Sequence, residues 1–251
     1  MELSNPVATP PVAAPVRDTV VLTEKMQAGY SRKQVVFDVD MHIGKGEIVA
    51  VVGHNGAGKT TILKTIFGML PSMGGKITFN GEDVSKSFPT KNVLKGMSLI
   101  PAERFVFPDL TVTENLQLGA LHVKDAAMKE KRLKRVLDMF PILVERKAQL
   151  GGTMSGGQQR MLSLGIALMS GPKLLMLDEP SLGLAPAVVI DIFSAIRRIA
   201  DEEGLSVLLL EQNIGQALRI SDRFYVMRSG RFILEETRAQ MAARKEYWDL
   251  F

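Results

Sequence analysis

The stretch with the clearest chemical meaning is a glycine-rich octapeptide, Gly53-His54-Asn55-Gly56-Ala57-Gly58-Lys59-Thr60. It fits the phosphate-binding pattern G-x-x-x-x-G-K-[ST], or P-loop. Its glycines let backbone N–H groups turn towards phosphate oxygens, and a helix starting at Lys59 adds a favourable dipole. We predict a nucleotide site from Gly53 to Thr61, in which Lys59 reaches the β- and γ-phosphates and Thr60 ligates Mg²⁺. The alternative is a glycine-rich turn without a ligand.

A second candidate is the run Leu174-Leu175-Met176-Leu177-Asp178-Glu179, a buried strand that ends in two carboxylates. Beside a nucleotide, Asp178 is predicted to hold Mg²⁺ through water, and Glu179 to polarise the attacking water. Without a P-loop in the same chain, an acidic strand end that faces solvent would be an equal alternative.

A third candidate opens an apolar helix with the turn Ser155-Gly156-Gly157-Gln158. Backbone N–H groups at a helix start form an anion cradle. Since one nucleotide needs only one P-loop, this second cradle suggests that the ATP of a partner chain lies there. In isolation, Ser-Gly-Gly is also a common flexible loop.

The elements that must position these motifs alternate between strand and helix. Residues 47–52 (EIVAVV) are continuously apolar after Glu47 and are followed by Gly53, which is typical of a strand covered on both faces. Residues 35–43 alternate, with Val36 on the polar side, which favours a half-buried antiparallel strand. Further strands are predicted at 19–23, 76–80, 173–177, 205–210, 224–227 and 231–234, and helices at 59–68, 111–118, 125–140, 186–200 and 214–220. The alternation predicts an α/β fold with a parallel sheet covered by helices and a small antiparallel layer beside it.

The amino-acid composition excludes some classes of function. The 251 residues carry a net charge of +4 and no cysteine, which excludes disulfides and thiolate metal sites. Basic residues are dispersed among acidic ones, so no nucleic-acid partner is expected. We find no apolar run long enough to span a membrane, and we interpret residues 1–17 as a flexible tail before one domain, 18–251.

The order P-loop, Ser-Gly-Gly-Gln, apolar strand with Asp-Glu resembles the ATPases of ABC transporters from about Thr19 to the C-terminus. The segment Ile100–Pro108 with Leu110–Leu116, the run Glu179–Pro186, and Glu211-Gln212-Asn213 resemble the ATP-binding subunits of branched-chain amino-acid uptake systems. Urea and short-amide uptake systems share much of this pattern.

The resemblance implies a P-loop NTPase (RecA-like) parallel core, an antiparallel β subdomain, and a helical subdomain at about 90–165. It implies a second ABC ATPase, identical or different, as head-to-tail partner, with Ser155, Gly156, Gly157 and Gln158 at the partner's γ-phosphate. Tyr30 would stack on adenine, and Gln212 would stand at the switch-histidine position. Transmembrane permease subunits would hold the chain at the cytoplasmic face of the membrane, and an extracytoplasmic solute-binding protein would act indirectly.

Two positions depart from the general pattern. Ala102 lies where these ATPases have Gln, or Glu in the branched-chain type, and alanine cannot contact Mg²⁺ or water. Glu103 could substitute if the loop shifts by one residue. Gln212 can hydrogen-bond a phosphate but cannot carry a proton as histidine does. The departure at Ala102 leads to a second hypothesis, a catalytically weak partner in a heterodimer. A third hypothesis is a soluble ABC protein that acts on DNA or ribosomes, and the single P-loop disfavours it.

Overall fold

The computed structural model describes residues 18–103 and 106–247, so the predicted tail lies outside the described residues. Its strands are β1 (Thr19–Tyr30), β2 (Lys33–Gly44), β3 (Ile48–Val52), β4 (Ser72–Phe79), β5 (Glu82–Asp83), β6 (Met97–Ile100), β7 (Leu174–Asp178), β8 (Ser206–Glu211), β9 (Arg223–Arg228) and β10 (Arg231–Thr237). Its helices are α1 (Lys59–Phe67), α2 (Pro89–Lys95), α3 (Val112–Gly119), α4 (Ala126–Met139), α5 (Pro141–Glu145), α6 (Gly156–Met169), α7 (Pro186–Glu203), α8 (Ile214–Ala217) and α9 (Arg238–Ala243).

A six-stranded sheet in the order β10-β9-β3-β8-β7-β6 forms the core. All neighbouring strands are parallel except β9 and β10. Every residue of β3 is fully buried: Ile48, Ala50 and Val52 face one apolar cluster, whereas Val49 and Val51 face the other. Burial on both faces explains why this strand is continuously apolar, and the predicted central parallel strand is confirmed.

A second sheet, in the order β2-β1-β4-β5, is antiparallel and packs with α1 against one face of the core sheet. Its long strands are irregular: Lys25 and Asp38 both have positive φ, and the register of β1 with β2 shifts several times. The irregularity at Asp38 changes the alternation, so Val36 is buried together with Val39. The prediction that Val36 lies on the polar side of its strand is therefore wrong.

Helices α3 to α7 cover the opposite face of the core sheet. Helix α3 starts near the predicted residue 111 with a capping box, in which Thr111 and Glu114 exchange hydrogen bonds. Within the range 90–165 assigned to a helical subdomain, β6 pairs with β7 in the core sheet, so the helical layer proper begins at α3. In residues 18–103 and 106–247 we find no helix with the length and apolarity required to cross a bilayer.

Candidate nucleotide site

The sequence motifs meet at one edge of the core sheet. Four adjacent parallel strands, β3, β8, β7 and β6, end there. The P-loop follows β3, and Pro101-Ala102 follows β6. Glu211 and Asp178 are the last residues of β8 and β7, and Gln212 and Glu179 come directly after them. In open α/β sheets, ligands bind at the carboxyl ends of the strands. The topology therefore places four motifs that are distant in sequence around one crevice.

The P-loop joins β3 to α1 through backbone that only glycine readily adopts. Gly58 has a φ of +111°, and a Cβ there would lie 2.6 Å from the Met227 side chain. Lys59 Nζ donates to the carbonyl oxygens of Gly53 at 2.7 Å and His54 at 3.3 Å, which holds the loop curled. No side chain caps the start of α1. Its first N–H groups are thus suited to an anionic ligand such as a phosphate.

The P-loop and the carboxylates at the end of β7 are in direct contact. Lys59 Nζ lies 3.1 Å from Glu179 Oε1, with side chains 4% and 17% exposed. Thr60 Oγ1 donates to Asp178, at 3.1 and 3.0 Å from its carboxylate oxygens. Burial raises the pKa of Asp178, and the hydrogen bond from Thr60 opposes that rise. A hydroxyl and a carboxylate at this spacing fit a Mg²⁺ ion that also binds phosphate and water.

Glu179 has a strained backbone as well as a candidate role. Its φ is +46°, in the left-handed region that non-glycine residues seldom adopt. Its N–H donates to the carbonyl of Leu210 on β8, which fixes the turn after β7. Strain of this kind persists where the surroundings over-determine a residue, and it is concentrated at functional sites.

Arg160 of α6 is part of this region, although sequence reasoning did not single it out. It is 3% exposed and donates to the carbonyl oxygens of Pro101 at 3.0 Å and Ala102 at 2.9 Å. Burial lowers the pKa of Arg160 to about 10, while Glu211 and Asp178 act in the opposite direction. Glu103 is exposed beside these two carbonyls, and whether it takes the role that Ala102 cannot fill remains a prediction.

Glu211 is a second residue that the sequence argument used only as part of a pattern. It is 2% exposed, and its Oε1 accepts from the backbone N–H of Ser181 at 3.2 Å. Burial raises its pKa, and the nearby charge of Glu179 adds to the rise. Glu211 thereby ties the segment after β7 to the end of β8. The signal that could have found both residues is a charged side chain at the border of an apolar run, since Arg160 directly precedes residues 161–169 and Glu211 directly follows residues 207–210.

The remaining predicted residues lie at the end of β1, directly after β8 and at the start of α6. Tyr30 ends β1 and is 44% exposed, so its ring is accessible. Gln212 is exposed directly after β8. Ser155 is the N-cap of α6 and forms a capping box with Gln158, while Gly156 and Gly157 begin the helix. The capping box satisfies the backbone N–H groups of Ser155 and Gln158, and the roles of these residues at a partner's nucleotide remain predictions.

Fold and motifs together define a P-loop nucleotide-binding protein. The sequence profile of the ABC transporter family matches residues 36–182, more than half of the chain. BraG of Pseudomonas aeruginosa, a high-affinity branched-chain amino acid transport ATP-binding protein, is 42% identical over 229 residues, covering 91% of this chain and 97% of BraG. LivF of Archaeoglobus fulgidus, a probable branched-chain amino acid transport ATP-binding protein, is 38% identical over 225 residues, or 90% of this chain and 95% of LivF.

The fold is also similar to that of a solved structure. The crystal structure of the ADP conformation of MJ1267, an ATP-binding cassette of an ABC transporter, superposes with a TM-score of 0.81 at 26% identity, over 89% of this chain and 93% of MJ1267. The chain belongs to the ATP-binding subunits of the ABC transporter family, and it is an ATPase of that family. The resemblance read from the sequence is thereby confirmed.

Proposed function

We propose that this chain is the ATP-hydrolysing subunit of an ABC importer for branched-chain amino acids or a related small solute. The observation that carries the catalytic part is the direct contact of Lys59 with Glu179 and of Thr60 with Asp178. The similarity to BraG and LivF over nine-tenths of the chain supports the solute class. Urea or a short amide is the related alternative.

The contacts suggest an order of events for the proposed reaction. Lys59 leaves Glu179 when phosphates enter the P-loop, which exchanges one charge-assisted contact for another. Thr60 and Asp178 would hold Mg²⁺, and the bound ion would supply positive charge beside the phosphates. Glu179, released from Lys59, orients the attacking water and accepts its proton on the carboxylate. Arg160 keeps the backbone at Pro101 and Ala102 in place beside these groups.

The proposed assembly follows from the exposed cradle at the start of α6. A second ABC ATPase, identical or different, would place its nucleotide against Ser155, Gly156 and Gly157 while its own cradle covers Lys59 and Thr60. Permease subunits would take up the closing motion of the two ATPases, at the cytoplasmic face of the membrane. A solute-binding protein outside the membrane would deliver the solute.

A second candidate function is a catalytically weak half of a heterodimer. The specific observation in its favour is Ala102, whose methyl group offers no oxygen to Mg²⁺ or water. Against it stands the complete set of Lys59, Thr60, Asp178 and Glu179. The two candidates differ in turnover and not in nucleotide binding.

Nucleotide binding tests the assignment of the P-loop. Lys59→Ala should weaken ATP binding by about 10- to 100-fold, because a hydrogen bond to a charged group contributes about 1.5–3 kcal/mol. Lys91→Ala, at an exposed lysine of α2, is the matched control and should bind ATP like the wild type. Equal affinities of the two variants in a fluorescent-nucleotide titration would refute the assignment.

The solute class needs a separate measurement. The chain is reconstituted with candidate permease subunits and a solute-binding protein in vesicles loaded with ATP. Uptake of labelled leucine that is lost with Lys59→Ala supports the proposed class. Uptake of labelled urea in place of leucine would move the chain to the alternative.

A further inference from the structure

A large cavity lies away from the nucleotide site. It has a volume of about 570 Å³ and is bounded by the start of β1, by α4, and by the segments that enter β7 and β8. Small-molecule sites in proteins usually enclose about 300–1,000 Å³. The cavity is thus large enough for a ligand of its own.

The position of this cavity separates it from the P-loop. Lys45 precedes β3, Lys173 precedes β7 and Leu205 precedes β8, so the cavity lies at the amino ends of the parallel strands. The P-loop follows the carboxyl end of β3. Five residues of strand, at about 3.3 Å each, place the two edges roughly 16 Å apart. One nucleotide cannot occupy both sites.

The rim of the cavity is strongly basic. It carries five cationic side chains and one acidic side chain, namely Lys45, Lys131, Arg132, Arg135, Lys173 and Glu203. Three of them, Lys131, Arg132 and Arg135, lie in the basic run of residues 129–135 on α4. Lys45, Lys131 and Lys173 are exposed, and none of the three forms an ion pair within the part of the chain that the structure describes.

The two arginines are held in place. Arg132 donates to the carbonyl oxygens of Met169 at 3.2 Å and Ser170 at 2.7 Å, at the end of α6. Arg135 is paired with Glu203, but its Nη2 is buried and has no acceptor among the described residues. A buried donor without an acceptor is costly. An anion in the cavity would supply an acceptor after a rotation of the Arg135 side chain, whose guanidinium group pairs with Glu203 in this conformation.

The floor of the cavity is apolar. Val20, Val136, Ile199 and Leu205 are all buried and line it. Apolar walls with a few convergent polar groups are typical of sites for small organic ligands. The site thus offers cations to one end of a ligand and an apolar surface to the other.

We infer that this cavity binds a soluble small molecule that carries a phosphate group and an apolar or aromatic group. The phosphate lies among Lys131, Lys173 and the arginine side chains, which act as charged donors to its oxygens. The apolar group lies on the floor beside Val136 and Leu205. This site is additional to the P-loop and does not depend on the proposed transport function.

The test uses phenyl phosphate as the probe, in the Lys59→Ala background so that the P-loop contributes little. Isothermal titration should show one site per chain, and inorganic phosphate should bind at least threefold more weakly because it lacks the apolar group. The double change Lys131→Glu with Lys173→Glu should weaken phenyl phosphate binding by at least tenfold. The control, Lys129→Glu with Lys134→Glu, makes the same change of charge, but neither of its residues lines the cavity. It should change binding by less than twofold.

Three results would overturn the inference. Equal losses in the two double variants would mean that only overall charge matters. Binding that survives Lys131→Glu with Lys173→Glu would place the probe elsewhere. If phenyl phosphate does not bind, but phosphatidylglycerol vesicles sediment the chain in a manner that requires Lys131 and Lys173, the ligand is a lipid headgroup and not a soluble molecule. Circular dichroism of each variant confirms that these surface changes leave the fold intact.

Discussion

Replacing Glu179 by glycine should make the chain more stable than replacing it by alanine. Both variants lose the carboxylate and its contact with Lys59, so these losses cancel in the comparison. What differs is the backbone, because residue 179 has a φ of +46°. Alanine has to adopt the left-handed conformation against its Cβ, whereas glycine adopts it freely.

The size of the difference follows from two opposing terms. The left-handed conformation costs a non-glycine residue roughly 1–2 kcal/mol. Glycine also destabilises the folded state relative to alanine by about 0.4–1 kcal/mol, because it raises the conformational entropy of the unfolded chain. The net advantage of Glu179→Gly over Glu179→Ala is thus about 1 kcal/mol. For a chain of this length that corresponds to a Tm higher by roughly 2–4 °C.

Thermal denaturation of the two variants measures this difference. The matched control is Asp191, an exposed residue inside α7, where Asp191→Gly should be less stable than Asp191→Ala by about 1 kcal/mol. The order of stability should therefore reverse between the two positions. If alanine is the more stable replacement at position 179 as well, the backbone is not strained there and the reasoning fails.

Two further predictions concern the residues that surround the site. Arg160→Met removes both hydrogen bonds to the carbonyls of Pro101 and Ala102, and Arg160→Lys cannot form both at once. In each variant ATP turnover should fall about tenfold or more, while ATP affinity stays within twofold of the wild type. Wild-type turnover by Arg160→Met would contradict this prediction. Burial raises the pKa of Glu211 above its ordinary value of 4.5, so the stability that this group contributes is complete below pH 4.5 and is lost as pH rises through the raised pKa. Glu211→Gln stays neutral and can still accept from Ser181, so urea unfolding should show it gaining stability relative to the wild type between pH 4 and pH 7.5. A difference that does not change with pH would contradict that expectation.

The central elements could be predicted because their patterns are local. Continuous burial of β3, the glycine pattern of the P-loop, and the capping box of α3 are each determined by neighbouring residues. The strand β6 was missed because its four residues, Met97–Ile100, carry no period and form a strand only through pairing with β7. The irregularity at Asp38 was missed for a similar reason, since an extra residue in a strand leaves no mark in an alternating sequence.

The contacts within the site also could not be predicted from local sequence patterns. The pairing of Lys59 with Glu179 joins residues 120 positions apart, and only the order of strands brings them together. The bonds from Arg160 to Pro101 and Ala102 depend on how α6 packs over the end of β6, which no spacing in the sequence encodes. The basic cavity likewise combines residues from six separate parts of the chain, which are Val20, Lys45, Asn80 and the ranges 128–136, 168–173 and 199–205.

Mg²⁺-dependent ATP hydrolysis by the purified chain, alone and mixed with its candidate partner ATPase, tests the central claim most directly. We predict turnover that Glu179→Gln abolishes while ATP remains tightly bound, since the variant keeps Lys59, Thr60 and Asp178. Ready turnover by Glu179→Gln would contradict the role of Glu179. Tight ATP binding without turnover by the wild type in either setting would contradict an active half-site and would favour the weak-partner function that Ala102 suggests.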